Sequence, residues 1–131
     1  MKSKLLLSIP LVVGLLAICS PVIAHHGNAG YDMEKMTVLK SAKITAVEWT
    51  NPHCEIDFDA PDDKGTVQHW IVEAPPPSEL VPKKWTRKAL NPGDEVTVYF
   101  HASKNGALYG IIQKVIFPNG DILRAYPDPK S

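Results

Sequence analysis

Histidines 25, 26 and 53 are the side chains of this sequence best suited to bind a metal ion. If cleavage makes His25 the first residue, its α-amine and its imidazole can chelate one ion, since a deprotonated amine is a nitrogen donor. His26 adds a second imidazole and a deprotonatable amide. Cu(II) favours such nitrogen-rich, tetragonal ligand sets. We therefore predict a site for copper, or for another transition metal, formed by His25, His26 and His53; the alternative is that these histidines are simply solvated.

The first 24 residues have the layout of a secretory signal peptide. Lys2 and Lys4 give a basic start, an almost continuous apolar run occupies positions 5–19, and the segment ends in the small residue Ala24. This order of basic, apolar and small-residue regions is typical of a leader that is removed during export. We therefore expect a periplasmic protein that is cleaved after Ala24 and has no membrane span afterwards.

Two other fates of this segment stay open. An uncleaved membrane anchor is one, although the apolar run is shorter than the roughly 18 residues that a span usually needs. Acylation of Cys19 as a lipoprotein is the other, and the bulky Ile18 disfavours it. If Ala24 is retained, His26 becomes the third residue, which is also a favourable position for copper.

The composition of the mature chain excludes some classes of function. Cleavage removes two of the 14 basic residues and none of the 14 acidic ones, so the mature chain is slightly acidic. Nucleic-acid binding usually requires a basic surface, so we expect no nucleic-acid partner. Cys54 is the one cysteine left after cleavage, and it alternates with Ile56 and Phe58 on an apolar strand face. It can form no intramolecular disulfide, and we expect it to pack in the core.

The apolar pattern predicts a mainly β fold. The first strand, Thr37–Trp49, changes its apolar face between Ile44 and Val47, having followed the parity of Val38 up to that point. This change predicts a β-bulge near Thr45–Ala46, of the kind that bends a strand in a small barrel. The remaining predicted strands are His53–Ala60, Thr66–Ala74, Glu95–His101, Ala107–Phe117 and Ile122–Tyr126.

A helical excursion is predicted between the third and fourth strands, with short helical segments at Glu79–Val81 and Lys83–Leu90. Three strands, a helical excursion and two or three further strands suit a five- or six-stranded barrel of the oligonucleotide/oligosaccharide-binding (OB) type. Residues 25–36 are expected to form a mobile N-terminal arm, residues 37–126 the barrel domain and residues 127–131 a polar tail. This barrel type hosts many functions, so the predicted fold assigns no ligand.

The corner Glu48–His53, with the sequence Glu-Trp-Thr-Asn-Pro-His, joins the first two predicted strands. It places a large aromatic side chain, a turn and His53 within six residues. Trp49, Asn51 and Trp85 are the candidates for a ligand or partner surface, and the alternative for the tryptophans is core packing. The corresponding second hypothesis is an accessory protein that contacts a periplasmic oxidoreductase or an envelope complex and binds no metal.

No catalytic constellation is recognisable in the sequence. The serines of the mature chain lie in no motif that would activate them as nucleophiles, and no glycine-rich phosphate loop is present. Asp57 and Asp59 alternate on a strand face, where such acids usually only solvate a sheet. We therefore expect a binding protein rather than an enzyme, and the alternative that stays open is an enzyme built on the N-terminal copper site.

Several of these motifs together resemble a family of small exported bacterial proteins that is known only as a domain of unknown function. They are His25-His26-Gly27, the Glu48–His53 corner, Trp85-Thr86-Arg87 and the Leu90–Val96 turn. The resemblance implies export from a Gram-negative type of cell and brings no established activity. Members often have alanine at the position of Cys54, which agrees with a packing role for that residue.

Overall fold

The computed structural model of the protein describes residues 27–130, so the predicted signal peptide, Cys19, His25 and His26 lie outside the described residues. Six strands form one sheet with the order β3-β2-β1-β4-β5-β6. β3 also pairs in parallel with β5, and this pairing closes the first five strands into a barrel. The strands are β1 (Thr37–Glu48), β2 (Cys54–Pro61), β3 (Val67–Ala74), β4 (Glu95–Ala102), β5 (Tyr109–Ile116) and β6 (Ile122–Arg124).

This architecture confirms the predicted OB-like barrel with a short helical excursion between β3 and β4. Within residues 27–130, none of the helices has the length and apolar character that crossing a membrane requires.

Strand β1 contains two irregularities where the sequence predicted one. Its register with β2 shifts between Ile44 and Ala46, which confirms the predicted bulge. Its register with β4 shifts between Leu39 and Ala42, where Ser41 has a φ of 54°. This second shift inverts the inward face, so Leu39 packs against the core, whereas Val38 is 40% exposed. The expectation that Val38 shares the inward face of Ile44 was therefore wrong.

The barrel interior is filled by alternate residues of the strands. Phe100 of β4 makes edge-on contacts with Phe58, at 5.9 Å between ring centroids, and with Trp70, at 4.9 Å. Gly110 of β5 faces the same ring, and a Cβ atom there would lie only 2.6 Å from Phe100 Cδ2. Cys54 is fully buried and is a free thiol, as the alternation predicts.

The helical excursion consists of α1 (Pro77–Leu80) followed by a 3₁₀ turn at Val81–Lys83. Lys84 ends it with a left-handed φ of 71°. The second predicted helix, Lys83–Leu90, does not form beyond this point, and turns replace it. In this segment isolated hydrogen bonds hold the backbone. For example, the amide of Lys88 donates to Thr86 Oγ1 at 3.3 Å.

The N-terminal arm runs along the end of the barrel beside β4. The amide of Asp32 donates to Ala102 O at 2.8 Å, and the amide of Lys104 donates to Gly30 O at 2.9 Å. Tyr31 also forms an isolated β-bridge with Ser103. Backbone hydrogen bonds thus hold Gly30 and Asp32 against the barrel, and the mobility expected of the arm over residues 25–36 stays a prediction.

Candidate functional site

A cavity of about 150 Å³ lies where the N-terminal arm meets the corner before β2. Its walls combine an imidazole, a carboxylate and two phenols, which are groups able to bind metal ions or donate hydrogen bonds. We call it the arm cavity. It is lined by Gly27, Asn28, Tyr31, His53, Glu73, Ile111 and Tyr126.

His53 reaches the arm cavity from the corner between β1 and β2. The side chain is exposed and directly precedes the buried Cys54, the first residue of β2. The peptide bond between Asn51 and Pro52 is cis, and Thr50 Oγ1 donates a hydrogen bond to His53 O at 3.1 Å. The local turn therefore fixes the backbone of His53 and leaves its imidazole free to face the cavity.

Glu73 belongs to a row of three carboxylates across neighbouring strands. It lies opposite Glu55 of β2, and Glu55 lies opposite Glu48 of β1. Burial, and then the charges of Asp57, Glu48 and Glu73, raise the pKa of Glu55. Between residues 27 and 130, no lysine or arginine forms an ion pair with a member of this row. The row concentrates negative charge beside the arm cavity, and like charges opposite one another repel.

Two tyrosines from different parts of the chain flank Glu73. Tyr31 of the arm and Tyr109 of β5 are stacked with their ring centroids 6.3 Å apart. Burial, together with a hydrogen bond to Glu73 and its negative charge, raises the pKa of Tyr109 far above its usual value. The same causes raise the pKa of Tyr31, with burial again the largest. Both phenols therefore stay protonated beside the Glu73 carboxylate.

His101 anchors the arm from below. Its side chain is 5% exposed, and Nδ1 lies 3.1 Å from both Asp32 O and Lys35 O. Because both partners are carbonyl oxygens, Nδ1 carries the proton and donates to them. This contact and the backbone bonds of the arm hold the arm against the barrel, and Gly27 lies in the wall of the arm cavity.

The residues predicted from the sequence have different placements. His53 lines the arm cavity, whereas His25 and His26 lie outside the described residues. At the predicted partner surface, Asn51 is exposed and Trp49 is partly buried against the core.

Trp85 requires a correction. It is only 2% exposed, and its Nε1 donates to Arg124 O at 2.9 Å. This side chain links the excursion to β6 inside the protein and is not available to a partner. The structure therefore supports the alternative that Trp85 packs in the core.

The sequence did not point to Glu73, Tyr31 or Tyr109. Their proximity arises from the parallel pairing of β3 with β5 and from the anchored arm, and neither is visible in local patterns. The sequence feature that came closest to indicating this site was the position of Glu73, one residue before the end of the predicted strand Thr66–Ala74. In the described part of the chain, no group of three histidine, cysteine or acidic side chains is arranged to hold a metal ion by itself. A metal site here would therefore need further ligands. Gly27, which directly follows His26 in the chain, lines the arm cavity.

Comparison with known proteins gives one match. The sequence model of a family of unknown function (DUF6152) matches residues 13–113, more than half of the chain. No curated protein and no solved structure matches the chain. Since the matched region includes the described arm, the Glu48–His53 corner and the first four strands, the chain belongs to the DUF6152 family.

Proposed function

We propose that this protein is an exported, periplasmic binding module that holds a transition-metal ion, with copper favoured, between its mature N-terminus and His53. The supporting observation is that Gly27 and His53 line the same cavity. The ligands proposed are the α-amine and imidazole of His25, the imidazole of His26, and the imidazole of His53.

Chain length allows this arrangement. An extended chain advances about 3.3–3.6 Å per residue, so His25 and His26 are tethered within roughly 7 Å of Gly27. Their imidazoles extend this reach further, and the arm cavity begins at Gly27 itself. The anchored arm reduces the conformational entropy that a free N-terminus would lose on binding an ion.

Electrostatics favour the same site. Glu48, Glu55 and Glu73 form an acidic row without basic partners among residues 27–130, and such a region raises the local concentration of cations. Nitrogen donors at the N-terminus then select among these cations, because imidazole and amine ligands suit copper better than they suit calcium or magnesium.

Calorimetric titration of the exported protein with Cu(II) tests the proposal. The full chain is expressed with its leader, purified from the periplasm, and its first residue is fixed by intact mass. We expect binding at a 1:1 ratio, and we expect His25→Ala and His53→Ala each to weaken it at least about tenfold, since even outer-shell changes cost 10–100-fold.

The matched control is His69→Ala. His69 is 53% exposed and lies outside the arm cavity, where its Nδ1 contacts Asp59 Oδ1 at 2.6 Å. We expect this variant to bind Cu(II) like the wild type. Equal affinity in the wild type and in His25→Ala would refute the proposed site.

A second candidate function, an accessory protein for a periplasmic oxidoreductase or envelope complex, is favoured by a separate apolar groove of about 380 Å³ beside the excursion. Ile122 is 42% exposed in its wall, and Lys83, Lys84 and Arg124 give it a basic edge. This charge favours an acidic, extended segment of the partner.

The two candidates make different predictions for one experiment. Ile122→Asp should abolish pull-down of a periplasmic partner, whereas Val67→Asp, at a 64% exposed position outside the groove, should not. His25→Ala should leave such a complex intact. Equal capture by the wild type and Ile122→Asp would contradict this function.

A further inference from the structure

We propose that a second cavity binds a small uncharged molecule, one that carries a hydroxyl or N–H donor on an apolar body. This cavity has a volume of about 300 Å³ and lies between the N-terminal arm and the C-terminal tail, so we call it the tail cavity. Met33 of the arm lines it, as do Pro127 and Pro129 of the tail, His101 of β4 and Gln113 of β5. The proposal goes beyond the metal site and uses only residues that the structure describes.

The two polar side chains that are buried within residues 27–130 both line this cavity. His101 and Gln113 are each 5% exposed, whereas the other buried side chains of that segment belong to hydrophobic residues. Burying a polar group costs free energy unless it is hydrogen-bonded. The hydrogen bonds of these two side chains therefore indicate what the cavity can hold.

Both side chains use their donors inside the protein. His101 Nδ1 donates to two carbonyl oxygens of the arm. Gln113 Nε2 donates to Tyr126 O at 3.1 Å and also to Pro127 O. Because all these acceptors are carbonyl oxygens, they determine the tautomer of the neutral imidazole and the orientation of the amide. His101 Nε2 and Gln113 Oε1 are then acceptors, and neither has a hydrogen-bond partner among residues 27–130.

These two acceptor atoms are accessible from a space within the protein. In the described part of the chain, Asp57 Oδ1 is the one fully buried side-chain polar atom that lacks a hydrogen-bond partner. His101 Nε2 and Gln113 Oε1 are therefore not enclosed, and the tail cavity is the space that both residues line. A molecule in this cavity satisfies them if it donates hydrogen bonds.

The remaining wall of the tail cavity determines the character of the ligand. No aspartate, glutamate, lysine or arginine is among its described lining residues, so neither an anion nor a cation would find a counter-charge there. A buried charge without a partner is costly, and the ligand should therefore be uncharged. Met33, Ile111 and two prolines offer apolar contacts to the rest of the molecule. An apolar wall with a few placed polar groups is typical of small-molecule sites, and about 300 Å³ is at the lower end of their size.

An NMR titration of the metal-free, exported full chain with phenol and with toluene tests the proposal. The two probes have nearly the same size and shape, but only phenol has a hydrogen-bond donor. We expect phenol to shift the amide signals of Met33, His101, Ile111 and Gln113. We expect it to bind at least about fivefold more tightly than toluene, because toluene leaves the acceptors without a partner.

His101→Asn removes the proposed acceptor and keeps the donor. The side-chain amide nitrogen of asparagine lies near the position of Nδ1, so it can still donate to the arm, and no atom replaces Nε2. We expect phenol to bind at least about fivefold more weakly to this variant, with the amide of Asp32 still protected from exchange. His69→Asn is the control, since His69 is 53% exposed and lies outside the tail cavity. It should bind phenol like the wild type.

A second variant fills the cavity without changing a buried residue. Met33 is 41% exposed, so Met33→Trp enlarges a side chain at the edge of the tail cavity and leaves the core unchanged. We expect it to abolish phenol binding and to keep the thermal unfolding midpoint. Val38→Trp, at a 40% exposed position outside the cavity, should affect neither.

Three results would overturn the proposal. They are equal affinities for phenol and toluene, phenol shifts spread over the whole surface, and unchanged phenol binding in both His101→Asn and Met33→Trp. The tail cavity would then be a water-filled gap only. Asn28, Ile111 and Tyr126 line both cavities, and the titration is therefore made without copper. Its result does not depend on the metal site, and failure of the metal site would leave it unchanged.

Discussion

His101→Phe should release the N-terminal arm while leaving the barrel folded. His101 is 5% exposed, and its Nδ1 donates to Asp32 O and Lys35 O, both at 3.1 Å. Phenylalanine fills a similar volume but has no donor. The substitution therefore isolates the hydrogen bonds from the packing of the ring.

The structure sets the size of the effect. A lost hydrogen bond costs about 1 kcal/mol, and a buried carbonyl left without a partner costs about 1–3 kcal/mol. Lys35 is exposed and Asp32 is partly exposed, so water can replace part of the lost contact. We expect the arm to be destabilised by about 1–3 kcal/mol, which increases its open population by about 5- to 150-fold.

Amide hydrogen exchange measured by NMR is the assay. The amides of Asp32 and Lys104 bridge the arm and the barrel, and their protection should fall by that factor. Amides between β2 and β3, such as Val72, report on the barrel and should keep their protection. His69→Phe, at an exposed position, is the control and should change neither set. Unchanged protection at Asp32, or an equal loss everywhere, would refute the role of His101 as the anchor of the arm.

Three other substitutions test the packing and the charges. Trp85→Phe removes the donor to Arg124 O, so the urea midpoint should fall with a loss of about 1–3 kcal/mol in unfolding free energy. Gly110→Ala places a Cβ 2.6 Å from Phe100 Cδ2, and this overpacking should lower the unfolding free energy by about 1–3 kcal/mol and the melting temperature with it. Glu55→Gln should raise stability at neutral pH, measured by urea denaturation across pH, because it removes a carboxylate charge that burial and then the repulsion within the acidic row disfavour.

The sign of the Glu55 effect follows from linkage. Its folded pKa is raised above the ordinary 4.5, so the folded state holds this proton more tightly than the unfolded state does. Protonated Glu55 therefore contributes to the unfolding free energy below pH 4.5, and this contribution is lost as the pH rises through the folded pKa. The advantage of the glutamine variant should therefore shrink as the pH falls toward 4.5. A stability advantage of Glu55→Gln that grows on acidification would contradict this linkage. Unchanged unfolding midpoints in Trp85→Phe and Gly110→Ala would contradict the packing roles of these two residues.

Much of the barrel could be predicted from the sequence because strand alternation and turn residues are local signals. Cys54, Ile56 and Phe58 alternate as expected, and the bulge before Ala46 appears as a change of apolar parity. The bulge at Ser41 was not predicted, since serine carries no preference for the left-handed backbone it adopts there. That bulge decides which way Val38 points.

The candidate site was only partly predictable for a different physical reason. His53 was identified because the turn before it is a strong local motif. Glu73 lies near His53 because β3 pairs with β2, Tyr109 lies near Glu73 because β3 also pairs with β5, and Tyr31 reaches Tyr109 because the arm is hydrogen-bonded to the barrel. Such contacts join residues far apart in the chain. Trp85 was assigned to the surface for the same reason. Its indole Nε1 donates to Arg124 O of β6, and no local sequence pattern indicates this distant acceptor.

Paramagnetic broadening by Cu(II) tests most directly whether a metal ion binds at the arm cavity, because it locates the bound ion without any substitution. In a ¹H–¹⁵N NMR spectrum of the exported protein, substoichiometric Cu(II) should first broaden the amide signals of Gly27, His53, Glu73 and Ile111, which line the arm cavity. Signals around His69 should persist. Broadening centred on His69, or uniform broadening with no preferred location, would contradict a metal site at the arm cavity.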